Sequence, residues 1–226
     1  MENNSRKEIL LNIKEGLAKV TQLPYPNIDE TQPLFTVSKE SPDIDFAEKL
    51  VANGGCFEYC EEVSQFHERL KELVAINKWT NVHCWNPTLT KYLQNQDFRN
   101  CRIGHVLDRA HAGLTTCESF ISDSGSIVMS SALSAGRALA VFPKVWLVVA
   151  TIDQVCKNKA EALERLSQKY EEYPSAITFV TGPVQNRAIS LKNYRVGMSP
   201  SQIYFFLIDK IGFEETFEET FEENRK

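Results

Sequence analysis

Three short stretches of the chain combine glycine with hydroxyl or carboxylate side chains, which are residue types that bind anions and carbonyl groups. They are Gly113–Glu118 (GLTTCE), Asp123–Ser126 (DSGS) and Thr181–Pro183 (TGP). Glycine lets a ligand approach the backbone closely, and the hydroxyl groups supply hydrogen bonds. The first and third stretches are each predicted to be a loop that follows a strand. Because ligands of open α/β sheets bind where strands end, the three stretches predict parts of one ligand cleft.

The candidate site residues fall into two groups. The predicted ligand-binding residues are small or carry a hydroxyl group, apart from one proline and one arginine that could clamp an anion; they are Gly113, Thr115, Thr116, Ser124, Gly125, Ser126, Arg137, Thr181, Gly182 and Pro183. Glu118 and Asp123 flank the predicted hairpin and are the candidate catalytic carboxylates, for acid–base or nucleophilic work. A purely structural interpretation stays open, since DSGS is also an ordinary hairpin turn and TGP a common strand exit.

The cysteines and histidines do not form a metal or catalytic motif. The six cysteines, at positions 56, 60, 84, 101, 117 and 156, include no C-x-x-C pair, which predicts free and mostly buried thiols in a reducing compartment. His105 and His111 lack the spacing of a metal site, and His67 is predicted to be solvated on a helix. We therefore expect no metal and no cofactor in this chain.

The overall composition excludes several classes of protein. With 226 residues and 42% hydrophobic residues, the chain can bury a full core without disulfides or metals. The net charge is −5, of which −4 lies in the last fourteen residues, so the chain has no basic stripe for nucleic acid. No apolar run approaches the ~18 residues of a membrane span. The first residues lack the order of a secretory signal, which predicts a cytoplasmic protein.

Strand-like and helical segments alternate along the chain. An amphipathic helix is predicted at 4–20 and further helices at 61–79, 152–170 and from Pro87 to Leu93; strands are predicted at 55–60, 81–85, 102–108, 118–123, 126–131, 144–150, 176–182 and 202–209. This alternation predicts a three-layer α/β/α domain around a mainly parallel sheet, with an antiparallel hairpin inserted at 118–131. The predicted parts are a helix and proline-containing arm (1–40), the α/β domain (41–211) and a tail (212–226).

The tail repeats the motif FEET, which places Phe213, Phe217 and Phe221 at helical spacing. On a helix these rings would share one face, as in a helix that docks on a partner or a second subunit. Alternatively, the repeat is a mobile extension, because its six glutamates repel one another in an isolated helix. If the tail is a docking interface, removal of the chain after Lys210 is expected to abolish partner binding and to leave the fold intact.

The order of several motifs resembles the LUD (lactate utilisation) domain family, and in particular its LutC-like members. The motifs are AGLTTCESFISDSGSIV, GR, KVWLVVA, ITFVTGP and VGMSPSQIYFFLID, and the resemblance covers about residues 45–210. It implies a NagB/RpiA/CoA-transferase-like fold. It also implies a subunit that takes part in the oxidation of L-lactate to pyruvate together with iron–sulfur partner proteins, which would carry the clusters.

The chain departs from the family pattern in three places. Thr116 stands where the family usually has glycine, and Asp123 where it usually has glutamate. After Pro183 the chain reads VQNRAIS instead of the usual SRTADIE, which removes the family's Ser, Arg and Asp. Whether the chain is itself catalytic therefore stays open. The alternatives are a stand-alone enzyme or a binding module for a CoA ester, sugar phosphate, folate or other anionic small molecule, or a regulatory module, and a homo-oligomer is compatible with each.

Overall fold

The computed structural model describes residues 2–18, 40–96, 98, 101–102, 110–133, 136–183 and 200–217. The chain divides into two compact units, Met1–Val37 and Ser38–Lys226. In the first unit, helix α1 spans Glu2–Ala18, which confirms the helix predicted at the start of the chain. The proline-containing arm, most of the strand predicted at 102–108 and the tail beyond residue 217 lie outside the described residues.

A parallel sheet forms the centre of the second unit. Its strands are β1 (Cys56–Cys60), β2 (Val82–Cys84), β3 (Cys101–Arg102), β4 (Ala112–Thr116), β7 (Val145–Thr151) and β10 (Gln202–Ile208). They lie in the order β1–β10–β7–β4–β2–β3, and each neighbouring pair is parallel. Strand β7 is buried along its whole length, as an uninterrupted apolar strand with both faces covered should be. The predicted mainly parallel α/β fold is confirmed.

Helices pack against the sheets of this unit. They are α2 (Pro42–Ala52), α3 (Val63–Ile76), α4 (Pro87–Asn95), α5 (Gly136–Val141) and α6 (Lys159–Lys169). Helix α4 begins where the sequence predicts, because Pro87 fits the first turn and the Asn86 side chain accepts a hydrogen bond from the Leu89 N–H. Among the described helices, none combines the length and the apolar character that a membrane crossing requires.

The loop predicted at 113–118 is wrong for most of its length. Ala112–Thr116 is strand β4, all five of its residues are buried, and it pairs with β2 on one side and β7 on the other. Gly113 and the two threonines suggested a loop by residue type. Pairing with two neighbouring strands satisfies their backbone groups, however, and threonine is well suited to a strand.

The helix predicted at 152–170 begins later than expected. Residues 152–154 form a short 3-10 turn, closed by reciprocal hydrogen bonds between Thr151 and Gln154. Val155 and Cys156 then form strand β8. Helix α6 begins only after Asn158, whose side chain accepts a hydrogen bond from the Glu161 N–H. This N-cap is a local start signal that the apolar periodicity alone does not show.

The predicted hairpin is confirmed, but it belongs to a second sheet. Strands β5 (Ser119–Ile121) and β6 (Ser126–Ser130) pair in antiparallel fashion across a turn in which Gly125 has a φ of 65°. Together with β8 and with β9 (Ile177–Val180) they form a four-stranded sheet in the order β8–β5–β6–β9. The hairpin is therefore a separate layer rather than an insertion into the parallel sheet.

Alternate side chains of β7 show how the layers pack. Leu147 and Val149 belong to a core with residues of α3 and α4, whereas Trp146 and Val148 belong to a core with α2 and the second sheet. Residues of α6 cover the opposite face of that second sheet, in a third core that includes Leu166. The two sheets are thus joined face to face, which places the end of β4 close to α6.

His67 is buried instead of solvated. It is 6% exposed, and its ring lies edge-on to Tyr92 and Phe98. Among the described residues, neither of its ring nitrogens has a hydrogen-bond partner. Burial, with a smaller contribution from the charge of Lys71, lowers the pKa of His67 from 6.5 to about 4. The buried face of α3 was predicted from its apolar residues alone. In the structure this buried face is wider and includes His67.

The beginning of the tail is part of the folded unit. Residues 213–217 are helical, and the Phe217 ring is fully buried against Phe66 and Tyr92. Phe213 lies beside it, with ring centroids 4.8 Å apart. The first FEET repeat and the phenylalanine that begins the second therefore close the core on the α3–α4 side. This packing conflicts with the expectation that the chain after Lys210 is dispensable for folding.

Candidate functional site

A cleft of about 650 Å³ lies at the carboxyl edge of the parallel sheet. Four adjacent strands end at it: Asn86 follows β2, Thr116 ends β4, Gln154 follows β7 and Phe213 follows β10. Open α/β sheets bind ligands at this edge, and small-molecule sites have volumes of about 300–1,000 Å³. Both the position and the volume of the cleft therefore fit a ligand site.

The opposite side of the cleft is formed by α6 and the end of β6. Arg165 and Lys169 are one turn apart on α6, so both reach the cleft from the same helix face. Tyr170 follows immediately, and Leu133 contributes an apolar surface. The cleft therefore combines cationic, hydroxyl and apolar groups on this side.

Glu118 is the best-connected polar group of the cleft. Its carboxylate accepts hydrogen bonds from the Lys169 ammonium at 2.7 Å, from the Tyr170 hydroxyl at 2.8 Å and from the Ser130 hydroxyl. The Glu118 side chain is only 1% exposed, whereas that of Lys169 is 54% exposed. Three donors satisfy a buried carboxylate well. Glu118 therefore holds Lys169 and Tyr170 in place, and these two side chains offer their outer surfaces to a ligand.

The same contacts shift the pKa values of the two partners. Burial lowers the pKa of the Lys169 ammonium, but the hydrogen bond and negative charge of Glu118 outweigh this effect and raise it above its usual value. Burial and the Glu118 carboxylate both raise the pKa of the Tyr170 phenol. At neutral pH the cleft therefore presents a charged ammonium group and a protonated phenol.

Gln154 joins the ends of two central strands beneath the cleft. Its side-chain N–H donates to the carbonyl oxygen of Cys117 at 2.7 Å, and its side-chain oxygen accepts from the Thr151 N–H at 2.9 Å. These bonds hold the backbone that carries Glu118. Cys117 itself is buried, and burial together with the nearby Glu118 charge raises the pKa of its thiol. Its thiol therefore stays protonated and is a poor nucleophile.

Comparison with known proteins identifies the family. The family model described as the LUD domain matches residues 45–208, which include every strand of both sheets. This chain belongs to the LUD domain family. The match ends before Phe213, so the part of the cleft that the tail contributes lies outside it.

Relatives with curated names are similar to parts of this LUD domain. One, named lactate utilization protein C, is from Geobacillus kaustophilus; it is 29% identical over 122 residues, which cover 53% of this chain and 46% of the relative. The same name is carried by a relative from Halalkalibacterium halodurans, 23% identical over 152 residues, with coverages of 61% and 66%. The chain thus spans about half the length of the first of these relatives.

A solved structure has a similar fold. It is a DUF162 family protein from Deinococcus radiodurans, with a TM-score of 0.59 and 17% sequence identity. The similarity covers 76% of this chain and 99% of the solved one. At this identity the comparison supports the fold of the LUD domain and nothing about its ligand.

The structure separates the predicted site residues of the LUD domain into two groups. Of those that it describes, Thr116 and Glu118 line the cleft. Thr115 points into the core, where its hydroxyl accepts a hydrogen bond from the Trp146 indole N–H at 2.8 Å. A Cβ at Gly113 would collide with the carbonyl oxygen of Leu139, so this glycine allows α5 to lie against β4.

The second and third predicted stretches do come together, but against the end of α2. The hydroxyl groups of Ser126 and Thr181 are hydrogen-bonded at 2.9 Å. A Cβ at Gly182 would lie 2.7 Å from the carbonyl oxygen of Asn53, and a Cβ at Gly125 would lie 2.7 Å from a backbone nitrogen of α2. These two glycines permit close packing between backbone segments. The sequence had instead suggested that they let a ligand approach the backbone.

The hairpin turn is held by backbone contacts. The Asn53 side chain donates to the carbonyl oxygen of Ser124 at 3.0 Å, and the Asp123 N–H donates to a carbonyl oxygen of residue 157 at 3.1 Å. Within the described residues, one Asp123 carboxylate oxygen and the Ser124 hydroxyl are buried without a hydrogen-bond partner. Pro183 is buried as well. Arg137 lies in α5, and its side chain falls outside what the structure describes.

Sequence reasoning missed the cleft residues Arg165, Lys169, Tyr170 and Gln154. A lysine at the end of a helix is common, and it also stabilises the helix dipole, so it carries no distinct signal. The described cysteines agree with the sequence: all five are free and all but Cys56 are buried. In the part of the chain that the structure describes, no group of three or more His, Cys, Asp or Glu side chains could hold a metal ion.

Proposed function

We propose that this LUD domain is a LutC-like protein that acts in the oxidation of L-lactate to pyruvate together with iron–sulfur partner proteins in the cytoplasm. Membership of the LUD family carries the proposal, and relatives named lactate utilization protein C support it. In this proposal the partners carry the redox centres. The chain itself contributes the cleft between α6 and the parallel sheet.

The geometry of the cleft suggests how a small organic acid would bind. The Lys169 ammonium and the Arg165 guanidinium lie on the same face of α6 and can donate to a carboxylate. The Tyr170 phenol keeps its proton and can contribute a hydrogen bond to a hydroxyl or carbonyl oxygen of the ligand. Glu118 orients both Lys169 and Tyr170, so it is a positioning residue and does not have to leave its buried place.

A reconstitution experiment tests this function. The purified chain is mixed with candidate iron–sulfur partner proteins, and L-lactate-dependent dye reduction is measured. We expect activity only when all components are present, and Lys169→Met should reduce it at least tenfold because the ligand loses its cation. Lys71→Met, on the exposed face of α3, is the matched control and should retain full activity. The same rate of dye reduction without this chain contradicts the proposal.

The cleft favours a second candidate, a stand-alone enzyme or binding module for an anionic small molecule. The observation that supports it is a cleft with room for a ligand much larger than lactate. A ligand that binds the native state raises the melting temperature. We therefore expect a shift with at least one member of a panel of CoA esters, sugar phosphates and folates. No shift across the whole panel counts against this candidate.

A further inference from the structure

Among its described lining residues, the cleft has more negatively than positively charged side chains. Of the lining residues that the structure describes, the carboxylates outnumber the cations by two; the carboxylates are Glu118, Asp153, Glu214 and Glu215, and the cations are Arg165 and Lys169. Both cations also have carboxylate partners. Lys169 pairs with Glu118 at 2.7 Å, and Arg165 pairs with Glu161 at 2.8 Å. A ligand therefore meets neutralised cations on α6 and an excess of negative charge on the other side.

The fold holds the negative side in place. Gly212 adopts a φ of 80°, and its N–H donates to the Asp153 carboxylate at 3.1 Å. Phe217 then anchors the following helical turn in the core. Glu214 and Glu215 are thus carried on a folded segment that lines the cleft, and both are exposed to solvent there. This segment lies outside the family match, which ends at residue 208.

We propose that Glu214 and Glu215 determine the charge selectivity of the cleft, so that it takes a monocarboxylate and rejects anions with several charges. Coulomb repulsion grows in proportion to the charge of the ligand, whereas the hydrogen bonds available from Lys169 and Tyr170 do not. Two fixed carboxylates therefore penalise a diphosphate far more than a monocarboxylate, which is selectivity by repulsion. The inference rests on the cleft being the ligand site of the proposed function.

The test compares L-lactate with inorganic pyrophosphate by ligand-observed NMR titration at low salt. The wild-type chain should bind L-lactate and bind pyrophosphate more weakly. The double variant Glu214→Gln, Glu215→Gln keeps the side-chain size and should gain about five- to tenfold in pyrophosphate affinity, given the strength of exposed charge pairs. Its L-lactate affinity should change less than about twofold. The gain should largely disappear at ~1 M salt, where charges are screened.

A matched control has the same change in net charge at two carboxylates that are not among the residues lining the cleft. Glu62→Gln combined with Glu68→Gln removes two exposed carboxylates next to and on α3 and should leave both affinities unchanged. An equal gain in this control, no gain in the cleft variant, or no binding of either probe to any of the proteins overturns the inference. Dye reduction by the same proteins separates the two proposals. If the wild-type chain restores dye reduction but the double variant gains no pyrophosphate affinity, only the selectivity is disproved. If the double variant gains pyrophosphate affinity but the wild-type chain does not restore dye reduction, only the lactate role is disproved.

Discussion

The Lys169 ammonium lies 2.7 Å from the Glu118 carboxylate, yet 54% of the lysine side chain is exposed and only 1% of the glutamate side chain. The loss of its partner therefore affects Lys169 and Glu118 differently. Lys169 can turn towards water, whereas the Glu118 charge would stay buried with the hydroxyl groups of Ser130 and Tyr170 as its remaining donors.

This asymmetry predicts an order of stabilities. Lys169→Met should cost about 2–4 kcal/mol, because it leaves a buried carboxylate without its cation. Glu118→Gln should cost only about 1–2 kcal/mol, since the amide can still hydrogen-bond the hydroxyl groups. Urea unfolding monitored by circular dichroism gives both free energies. A larger stability loss in Glu118→Gln than in Lys169→Met would contradict this prediction.

Gly113 is predicted to be required for packing between α5 and β4. Gly113→Ala should destabilise the protein by about 1–3 kcal/mol, because the new Cβ collides with the backbone of Leu139. Gly16→Ala is the control: a Cβ there meets nothing within 4 Å, and alanine favours the helix, so stability should stay equal or rise. Thermal unfolding measures both. A ligand-binding glycine, by contrast, would tolerate alanine in the absence of ligand.

Phe217 is predicted to stabilise the fold although it belongs to the repetitive tail. Phe217→Ala should cost about 3–5 kcal/mol, the range for a buried phenylalanine. Phe142→Ala removes a ring that is 47% exposed and should cost much less. Chemical denaturation of the two variants makes the comparison. Equal small losses would show that the tail does not contribute to the core.

The protein should become less stable in mild acid because of His67. Its pKa is about 4 in the folded state and 6.5 ordinarily, so below pH 6.5 the unfolded chain binds a proton that the folded one does not. The free energy of unfolding should therefore fall by up to about 3 kcal/mol between pH 6.5 and 4 and change little through this group below that range. Unfolding measured across this pH range tests the effect.

A pair of variants assigns the acid effect to His67. In His67→Leu the free energy of unfolding should lose this part of its pH dependence, because leucine fits the apolar site and does not titrate. His111→Gln should retain the dependence, since His111 is exposed. An identical acid response in the wild-type protein and in His67→Leu would refute the assignment.

Much of the fold could be predicted from the sequence because apolar spacing reports which faces of an element are buried. The continuous apolar strand β7, the hairpin around Ser124 and Gly125 and the start of α4 at Pro87 are all local patterns, and the structure confirms them. The errors occurred where local residue type and tertiary pairing disagree. Gly113 and Thr115 look like loop residues, but they lie between two paired strands.

The candidate site shows the same division. The sequence by itself singled out Glu118 and the glycine-containing stretches, from residue types alone. Only the tertiary structure decided that Glu118 meets Lys169, 51 residues away, and that Gly125 and Gly182 pack on α2 instead of on a ligand. The physical reason is range: hydrophobic periodicity, capping and turn preferences act between residues a few positions apart. The partner of a buried carboxylate depends on how α6 docks on the second sheet, which no local pattern encodes.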